Sequence, residues 1–185
     1  MSKIVAVVCS PQTDESSSRI TDAFLDGAMG LSTNIINLHV LSKYKAMQDC
    51  RRCDSCKAKK ACIIDDDLTK VLEDMDDADC VVFSTPVYFN GACGLYKFLE
   101  DRMYSFLDEK GKSDIGSKKA VLITTGDRSC NDLDAVSERL SKNLEAFGFD
   151  MMGSITYSDS DNGIDNEVLK RAKKMGTTLR NTPTV

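Results

Sequence analysis

Short apolar runs, each long enough for one buried strand, alternate along this chain with segments whose apolar residues recur at helical spacing. The runs occupy residues 3–8, 34–38, 80–84, 119–124 and 151–157. The helical segments cover about residues 20–28, 68–77, 94–106, 133–147 and 167–179. Strands that alternate with helices form a parallel sheet with helices on both faces. The sequence therefore predicts an α/β fold built on a doubly wound, five-stranded parallel sheet.

The size and composition of the chain fit one domain over residues 1–185, with a cysteine-rich insert at about residues 44–64. Hydrophobic residues make up 42% and charged residues 29%, as in an ordinary soluble globule. The formal net charge of −5 gives no reason to expect nucleic acid or an anionic membrane as a partner. Residues 1–10 lack the basic start and cleavage site of a signal peptide, and eight cysteines without such a leader indicate a reducing compartment. We therefore expect a cytoplasmic protein.

The loop after the first strand, residues 9–18, is rich in hydroxyl groups at the start of a helix. It contains neither a Walker lysine nor a G-x-G-x-x-G pattern. Free amides at a helix N-terminus bind phosphate groups without a countercharge. A plain helix cap with solvated serines is the alternative, but the position at the carboxyl end of a buried strand favours a phosphate site. The hydroxyls are those of Ser10, Thr13, Ser16, Ser17 and Ser18.

The loops after the third and fourth strands are suited to a planar ligand. The former, residues 84–91, offers the flat surfaces of Tyr88 and Phe89 and the exposed backbone of an Asn-Gly pair. A planar heterocycle needs apolar contact on its face and hydrogen bonds at its edge. The latter, residues 124–130, adds a glycine and small polar groups. For residues 84–91, a hydrophobic turn that packs on its own helix is the alternative.

Four cysteines follow the second strand in the spacing C-x2-C-x2-C-x5-C. They are Cys50, Cys53, Cys56 and Cys62. Thiolates bind zinc or iron–sulfur clusters, and a compact set of four suits a cubane [4Fe–4S] cluster. Structural zinc sites more often use two separated C-x2-C pairs, and no second pair follows here. A zinc site and a thiol segment without metal stay open as alternatives.

The three loops, in this order, resemble those of the NADPH-dependent FMN reductase branch of flavodoxin-like proteins. CSPQTDESSS at residues 9–18 resembles the phosphate loop of that family, usually written G-S-P-R-x-x-S/N-S/T. STPVYFNGACGLYKFLEDR at residues 84–102 resembles its flavin loop and the helix that follows. The cysteine insert with its trailing CIIDDD resembles the narrower iron–sulfur flavoprotein group. The resemblance spans nearly the whole chain and implies a flavodoxin-like fold.

This resemblance implies two cofactors, FMN and a [4Fe–4S] cluster, and it assigns residues to each. The FMN phosphate contacts would come from Ser10, Gln12, Ser16, Ser17 and Ser18. Gln12 stands where many relatives carry an arginine, so amides and hydroxyls would hold the phosphate. The ring and ribityl contacts would come from Pro86, Val87, Tyr88, Phe89, Asn90 and Gly91, with Thr125, Gly126 and Asp127 approaching the ring from the third loop. The four cysteines would be the cluster ligands.

Together these features predict an FMN-dependent oxidoreductase that relays electrons between a [4Fe–4S] cluster and FMN. FMN converts two-electron hydride chemistry into one-electron steps, so no catalytic side chain is required. NAD(P)H or ferredoxin would be the donor, and a quinone, a flavin or another small oxidant the acceptor. The resemblance also implies a homodimer or homotetramer. Two alternatives stay open: an NAD(P)H-dependent FMN or quinone reductase without a cluster, and a non-catalytic flavodoxin-like electron carrier.

Basic residues stand among the four cysteines, although the chain is acidic overall. Positive charge beside a cluster raises its reduction potential. A basic patch on an acidic surface also steers an acidic redox partner such as ferredoxin. Solvated charges on a loop are the alternative. The basic residues are Arg51, Arg52, Lys57, Lys59 and Lys60.

Overall fold

The computed structural model describes residues 2–12, 15–30, 33–59, 61–159 and 164–179. The strands are β1 (Lys3–Val8), β2 (Ile35–Val40), β3 (Cys80–Tyr88), β4 (Gly91–Ala92), β5 (Lys118–Gly126) and β6 (Phe149–Ser158). The helices are α1 (Ser16–Met29), α2 (Ser55–Lys59), α3 (Asp67–Asp76), α4 (Gly94–Arg102), α5 (Cys130–Ala146) and α6 (Asn166–Thr178). All five predicted strands and all five predicted helices are present, whereas the short elements α2 and β4 were not predicted.

The main sheet has the strand order β2-β1-β3-β5-β6, and every neighbouring pair in it is parallel. This is the flavodoxin-like order, in which the chain reverses its direction of winding between β1 and β3. The short β4 lies off this path and pairs antiparallel with the end of β3. The carboxyl ends of β1, β3 and β5 are therefore adjacent at one edge of the sheet.

Alternate residues of the central strands enter two separate apolar cores, one on each face of the sheet. On β1, for example, Val5 and Val7 enter the core formed with α3, α4 and α5, while Ile4 and Ala6 enter the core formed with α1 and α6. Helices thus cover both faces, as predicted. The continuous apolar runs follow from this arrangement, because a strand covered on both faces has no solvent-facing positions.

Helices α1 and α6 approach each other closely through two glycines. A Cβ atom added at Gly27 would lie 2.0 Å from the carbonyl oxygen of Lys173, and one added at Gly176 would lie 2.0 Å from that of Phe24. Neither position accepts a side chain without separating the helices. Among the helices of the described ranges, none is long and apolar enough to cross a membrane.

Two element boundaries differ from the prediction because long-range contacts decide them. Proline was expected to end the third strand after residue 84, but β3 continues through Pro86 to Tyr88. Pro86 donates no hydrogen bond, yet its carbonyl accepts one from the Cys93 backbone N–H at 3.2 Å, and β4 provides the extension with a partner. Helix α5 begins at Cys130, before the predicted residue 133, because the side chain of Ser129 caps it.

Candidate functional site

Hydrogen bonds join the three predicted loops at the carboxyl edge of the sheet. The Cys9 backbone N–H donates to the Ser84 carbonyl at 2.7 Å, which joins the first loop to the second. The Ser84 hydroxyl donates to the Ser17 carbonyl at 3.1 Å. The Ser17 and Thr125 hydroxyls lie 2.7 Å apart, which joins the first loop to the third. The structure therefore brings all three loops together, as their positions after adjacent parallel strands predicted.

The predicted phosphate residues have different environments in the first loop. Ser10 and Ser17 are buried, Ser16 and Ser18 are half-buried, and Gln12 is exposed; Thr13 lies outside the described residues. The Ser17 hydroxyl is hydrogen-bonded to the Thr125 hydroxyl, so it links two loops instead of pointing to solvent. Glu15 is the N-cap residue of α1 and makes no side-chain capping bond. Among the described residues, no side chain caps the first amides of α1, as a phosphate site at this helix requires.

The second loop ends in a tight hairpin between β3 and β4. Phe89 (φ 49°) and Asn90 (φ 63°) both have left-handed backbone conformations, as a type I′ turn requires. Phe89 is 96% exposed and Tyr88 is 46% exposed, while the preceding Pro86 and Val87 are buried. A left-handed conformation costs an ordinary residue about 1–2 kcal/mol. The hairpin thus presents an aromatic surface to solvent at an energetic cost, which is a feature of binding sites.

The third loop packs closely against the second. Thr125 and Gly126 are buried, whereas Asp127 is exposed. A Cβ atom added at Gly126 would lie 3.4 Å from the carbonyl oxygen of Val87 and 3.3 Å from the Leu133 side chain. Glycine therefore allows the two loops to approach each other.

A fourth segment, which the sequence analysis did not assign, also reaches this edge. Asp159 directly follows β6, and its carboxylate accepts a hydrogen bond from the Ser16 hydroxyl. Its backbone N–H donates to the Gly126 carbonyl at 2.8 Å. A carboxylate therefore lies beside a predicted phosphate contact. The rule that located the other loops, that ligands bind where parallel strands end, also points to this residue.

Two buried thiols lie beneath the loops. The Cys93 thiol donates to the Cys9 carbonyl at 2.7 Å. Burial, and to a lesser extent the neighbouring Cys93, raises the pKa of Cys9 well above its ordinary value. Cys9 is therefore a neutral thiol that contributes to the core rather than a reactive thiolate.

The four cysteines of the insert line one common cavity, together with Ile63, Ile64 and Arg102. Cys56 is buried, Cys50 and Cys62 are half-buried, and Cys53 is exposed. The backbone turns at Arg52 (φ 52°) and Asp54 (φ 57°), so the segment winds around this cavity. Among the described residues, no group of three or more His, Cys, Asp or Glu side chains is placed as the ligands of a single metal ion. Four thiols around one cavity match the ligands of a [4Fe–4S] cluster in number and kind, and the cavity itself has a volume of about 10 Å³.

Two of these thiols differ in their tendency to ionise. A hydrogen bond from the Ser55 backbone lowers the pKa of the exposed Cys53 thiol, and the Ser55 side chain acts in the same direction. Burial raises the pKa of Cys56. The cavity thus combines one thiol whose pKa lies below the ordinary value with one whose pKa lies above it. A cationic metal centre favours deprotonation of coordinating thiols.

Arg102, at the end of α4, holds both ends of the cysteine segment. Its Nη1 donates to the Gln48 carbonyl at 3.1 Å and to the Asp66 carboxylate at 2.9 Å. Its Nη2 donates to the Ile64 carbonyl at 3.1 Å. Both members of the Arg102–Asp66 ion pair are fully buried. This pair was not predicted from the sequence, although both residues lie in stretches that resemble the family.

The basic residues around the cysteines are not all free surface charges. The Lys57 ammonium donates to the Tyr104 and Leu107 carbonyls at 2.6 and 2.7 Å and lies 3.5 Å from the centroid of the Tyr104 ring. Lys57 therefore attaches α2 to the segment after α4. Arg51, Arg52 and Lys59 are exposed, and Lys60 lies outside the described residues.

Comparison with known proteins decides the family. A family model described as NADPH-dependent FMN reductase matches residues 2–162. The chain belongs to this family. Membership makes this chain a flavin-dependent oxidoreductase with FMN as its cofactor. The start of α1, where Glu15 makes no side-chain capping bond, and the aromatic hairpin at the carboxyl edge fit that cofactor.

Relatives of this FMN reductase family member include iron–sulfur flavoproteins. One from Archaeoglobus fulgidus is 24% identical over 181 residues, which cover 96% of this chain and 78% of that protein. Another from Methanocaldococcus jannaschii is 36% identical over 86 residues, which cover 46% of this chain and 43% of that protein.

Solved structures of similar fold include an oxidoreductase and a flavodoxin-like protein. An NAD(P)H:quinone oxidoreductase from Methanothermobacter marburgensis superposes with a TM-score of 0.75 at 16% identity, over 100% of this chain and 98% of that one. A flavodoxin, WrbA-like protein from Agrobacterium tumefaciens gives a TM-score of 0.63 at 15% identity, over 98% and 96% of the two chains. These likenesses show the flavodoxin-like fold.

Proposed function

We propose that this FMN reductase family member passes electrons between a [4Fe–4S] cluster held by Cys50, Cys53, Cys56 and Cys62 and an FMN held at the three loops. A small oxidant, such as a quinone or a free flavin, would be the final acceptor. The observation that carries this proposal is that all four cysteines line one cavity of the described structure. The iron–sulfur flavoprotein relatives support it.

The amino end of α1 would bind the FMN phosphate. The N-cap residue Glu15 makes no side-chain capping bond to the first amides of α1, and the helix dipole favours an anion there. The half-buried Ser16 and Ser18 stand in the first turn, and the buried Ser10 accepts a hydrogen bond from the Gln12 backbone N–H at 3.2 Å. Because Gln12 is neutral, the helix amides and these hydroxyls provide the attraction for the phosphate.

The aromatic hairpin and the third loop would orient the isoalloxazine ring. The exposed Phe89 and the half-exposed Tyr88 offer apolar contact. Backbone groups of the exposed Asn90 and the half-buried Gly91 would offer hydrogen bonds at the ring edge, apart from the Asn90 carbonyl, which accepts one from Arg139 Nη2. Thr125 and Gly126 bound the site on the side of β5, where they pack on the second loop. When bound, FMN supplies the exchange between hydride transfer and single-electron transfer. The protein's part is to bind and orient, so we assign no catalytic acid or base.

Metal and flavin analysis of protein purified without oxygen tests this function. We expect about four iron, four sulfide and one FMN per chain. Cys50→Ala should lose iron and sulfide but keep FMN, because Cys50 lies on the cysteine segment and not in the three loops. Cys130→Ala is the matched control, since Cys130 is also a free cysteine but lies at the start of α5. This control should keep both cofactors.

The same measurement separates the alternatives. Full FMN content with no iron in the wild type would contradict the relay and indicate an FMN or quinone reductase without a cluster. Steady-state turnover then distinguishes an enzyme from a carrier. An enzyme oxidises NAD(P)H, or a reduced ferredoxin, with a quinone as acceptor over many turnovers, whereas a non-catalytic carrier does not.

The exposed basic residues beside the cysteines would dock an acidic donor such as ferredoxin. Arg51 and Lys59 are exposed, whereas Lys57 is engaged with two carbonyls. We expect Arg51→Glu with Lys59→Glu to slow reduction by ferredoxin at low salt, because opposite charges accelerate encounter. The same reversals at Lys170 and Lys174, which are exposed on α6, should have little effect. Equal rates for the wild type and the Arg51/Lys59 variant would refute this docking surface.

A further inference from the structure

The Nε atom of Arg102 is buried and has no hydrogen-bond partner in the described structure. The side chain is fully buried, and its Nη1 and Nη2 atoms bond to two carbonyls and the Asp66 carboxylate. The Nε atom is buried as well, but no described residue accepts a hydrogen bond from it. Buried donors are almost always paired in native proteins, so an orphan of this kind needs an explanation.

The position of Arg102 indicates what the missing acceptor is. Arg102 lines the same cavity as Cys50, Cys53, Cys56 and Cys62. Two of the other lining residues, Ile63 and Ile64, have apolar side chains. Thiolate and sulfide sulfurs of a cluster are hydrogen-bond acceptors, and hydrogen bonds to them are among the factors that set the reduction potential.

We propose that the Arg102 Nε–H donates a hydrogen bond to a sulfur of the cluster or of its cysteine ligands, and thereby raises the reduction potential of that cluster. This inference depends on the cluster of the proposed function. A hydrogen bond stabilises the more negative, reduced state more than the oxidised one, so its loss lowers the potential. Because Asp66 neutralises the guanidinium, the effect comes from the local donor rather than from a net charge.

Arg102 is also the link between the two cofactor regions. Helix α4 begins at Gly94, directly after the aromatic hairpin, and ends at Arg102 after nine residues. At 1.5 Å per residue this helix is about 13 Å long. Its first turn thus follows the flavin loop, and its last residue holds both ends of the cysteine segment. Arg102 is accordingly a positioning residue as well as a tuning residue.

A redox titration of the cluster, followed by electron paramagnetic resonance, tests this role in three variants. Arg102→Lys keeps the positive charge beside Asp66 but lacks Nε. Arg102→Met with Asp66→Leu removes the buried pair as a unit, which avoids leaving an unpaired charge. Asp66→Asn keeps Nε and removes the negative charge, but it also replaces one of the two oxygens that accept from Arg102, Gln48 and Leu68 with an NH2 group. Each variant is first checked for folding by circular dichroism and for iron and sulfide content.

We expect a lower cluster potential in Arg102→Lys and in the double variant. The ratio of reduced to oxidised cluster should fall about tenfold at a fixed potential, which corresponds to about 59 mV for one electron. Asp66→Asn should keep or raise the potential, and the FMN potential should stay constant in all three. An unchanged cluster potential in a folded, iron-containing Arg102→Lys or double variant overturns the inference. Absence of iron in the wild type instead contradicts the cluster itself, so the two failures are distinguishable.

Discussion

The hydroxyls of Ser17 and Thr125 lie 2.7 Å apart in the buried interior between the first and third loops. Ser17 belongs to the first turn of α1, and Thr125 lies near the carboxyl end of β5. Their bond joins the phosphate region of the proposed site to the ring region. The pair therefore organises the loops before any ligand binds, and its contribution is measurable in the apoprotein.

Loss of one hydroxyl of this pair should destabilise the apoprotein. Ser17→Ala leaves the Thr125 hydroxyl buried and unpaired, which costs about 1–3 kcal/mol in the free energy of unfolding. Ser17→Ala with Thr125→Val removes both hydroxyls, so it should cost clearly less than the sum of the two single changes. Urea unfolding of the apoproteins measures this coupling. Additive costs would show that the hydroxyls do not interact.

Gln12→Arg should strengthen FMN binding. The side chain is exposed at the mouth of the first loop, and a guanidinium there would add a charge-assisted bond to the phosphate. At an exposed position we expect about 1 kcal/mol, or roughly a fivefold lower Kd for FMN. Gln12→Met is the uncharged control and should show no gain. Riboflavin, which has no phosphate, should bind both variants alike; a gain for riboflavin as well would contradict a phosphate contact.

Asp159→Asn should also strengthen FMN binding, through the removal of a negative charge. The Asp159 carboxylate contacts the Ser16 hydroxyl at the start of α1, where the FMN phosphate would bind. Like charges in proximity repel, so the neutral amide should lower the Kd for FMN severalfold, and less so at high salt. Isothermal calorimetry at two salt concentrations measures this. Weaker binding of both FMN and riboflavin would show that the carboxylate orders the loop instead.

Phe89 should lower the stability of the apoprotein and strengthen the binding of FMN. Its left-handed backbone (φ 49°) is unfavourable for an aromatic residue, and its ring is 96% exposed, so it gains little from packing. Phe89→Asn should stabilise the apoprotein by about 1 kcal/mol, because asparagine suits this turn position. Phe89→Ala keeps the backbone penalty and should leave stability nearly unchanged. Both variants should bind FMN more weakly; unchanged affinity in both would exclude the ring as a flavin contact.

The fold was predictable because a strand that is buried on both faces has a continuous run of apolar residues. The run at residues 3–8 coincides with β1, whose residues 4–8 are buried. Helices were located by apolar spacing in the same way. The extension of β3 beyond Ser84 was missed, because it depends on pairing with β4 and on the Cys93 backbone N–H, both of which lie later in the chain. The local sequence around Pro86 predicts the end of a strand, and only the contacts with later residues keep Pro86 within β3.

Sequence located the loops of the site better than it described their side chains. The carboxyl ends of adjacent parallel strands must meet, so the positions of three loops followed from the order of the strands. The order of the strands did not predict which side chains of these loops point inward. Ser17 faces Thr125 and Lys57 faces two carbonyls, and neither partner is near in sequence. The Arg102–Asp66 pair could not be predicted for the same reason, because its two residues are 36 positions apart.

Burial favours the neutral form of His39, whose two ring nitrogens both have partners. Its Nε2 lies 3.0 Å from the Asp74 carboxylate, and its Nδ1 lies 2.6 Å from the Tyr44 hydroxyl. The neutral tautomer with hydrogen on Nε2 satisfies both contacts, since Nε2–H donates to Asp74 and Nδ1 accepts from Tyr44. Burial lowers the pKa of His39 and outweighs the opposing effect of Asp74. It is the single histidine of the chain, so its titration can be isolated.

Acidification below about pH 6.5 should therefore destabilise the apoprotein through His39. In the unfolded chain this histidine has a pKa near 6.5, whereas its folded pKa is lower. The unfolded state then binds more protons as the pH falls through 6.5 toward the folded pKa, so stability declines over that window and is full above it. Urea unfolding between pH 7.5 and 5.5 should show this slope in the wild type.

His39→Gln should be less stable at pH 7.5 by about 1–3 kcal/mol, because buried partners lose their bonds, and its slope should be flatter. Tyr44→Phe removes only the donor to Nδ1, so it should raise the folded pKa of His39 and reduce the slope in part. An undiminished slope in His39→Gln would assign the pH dependence to other groups.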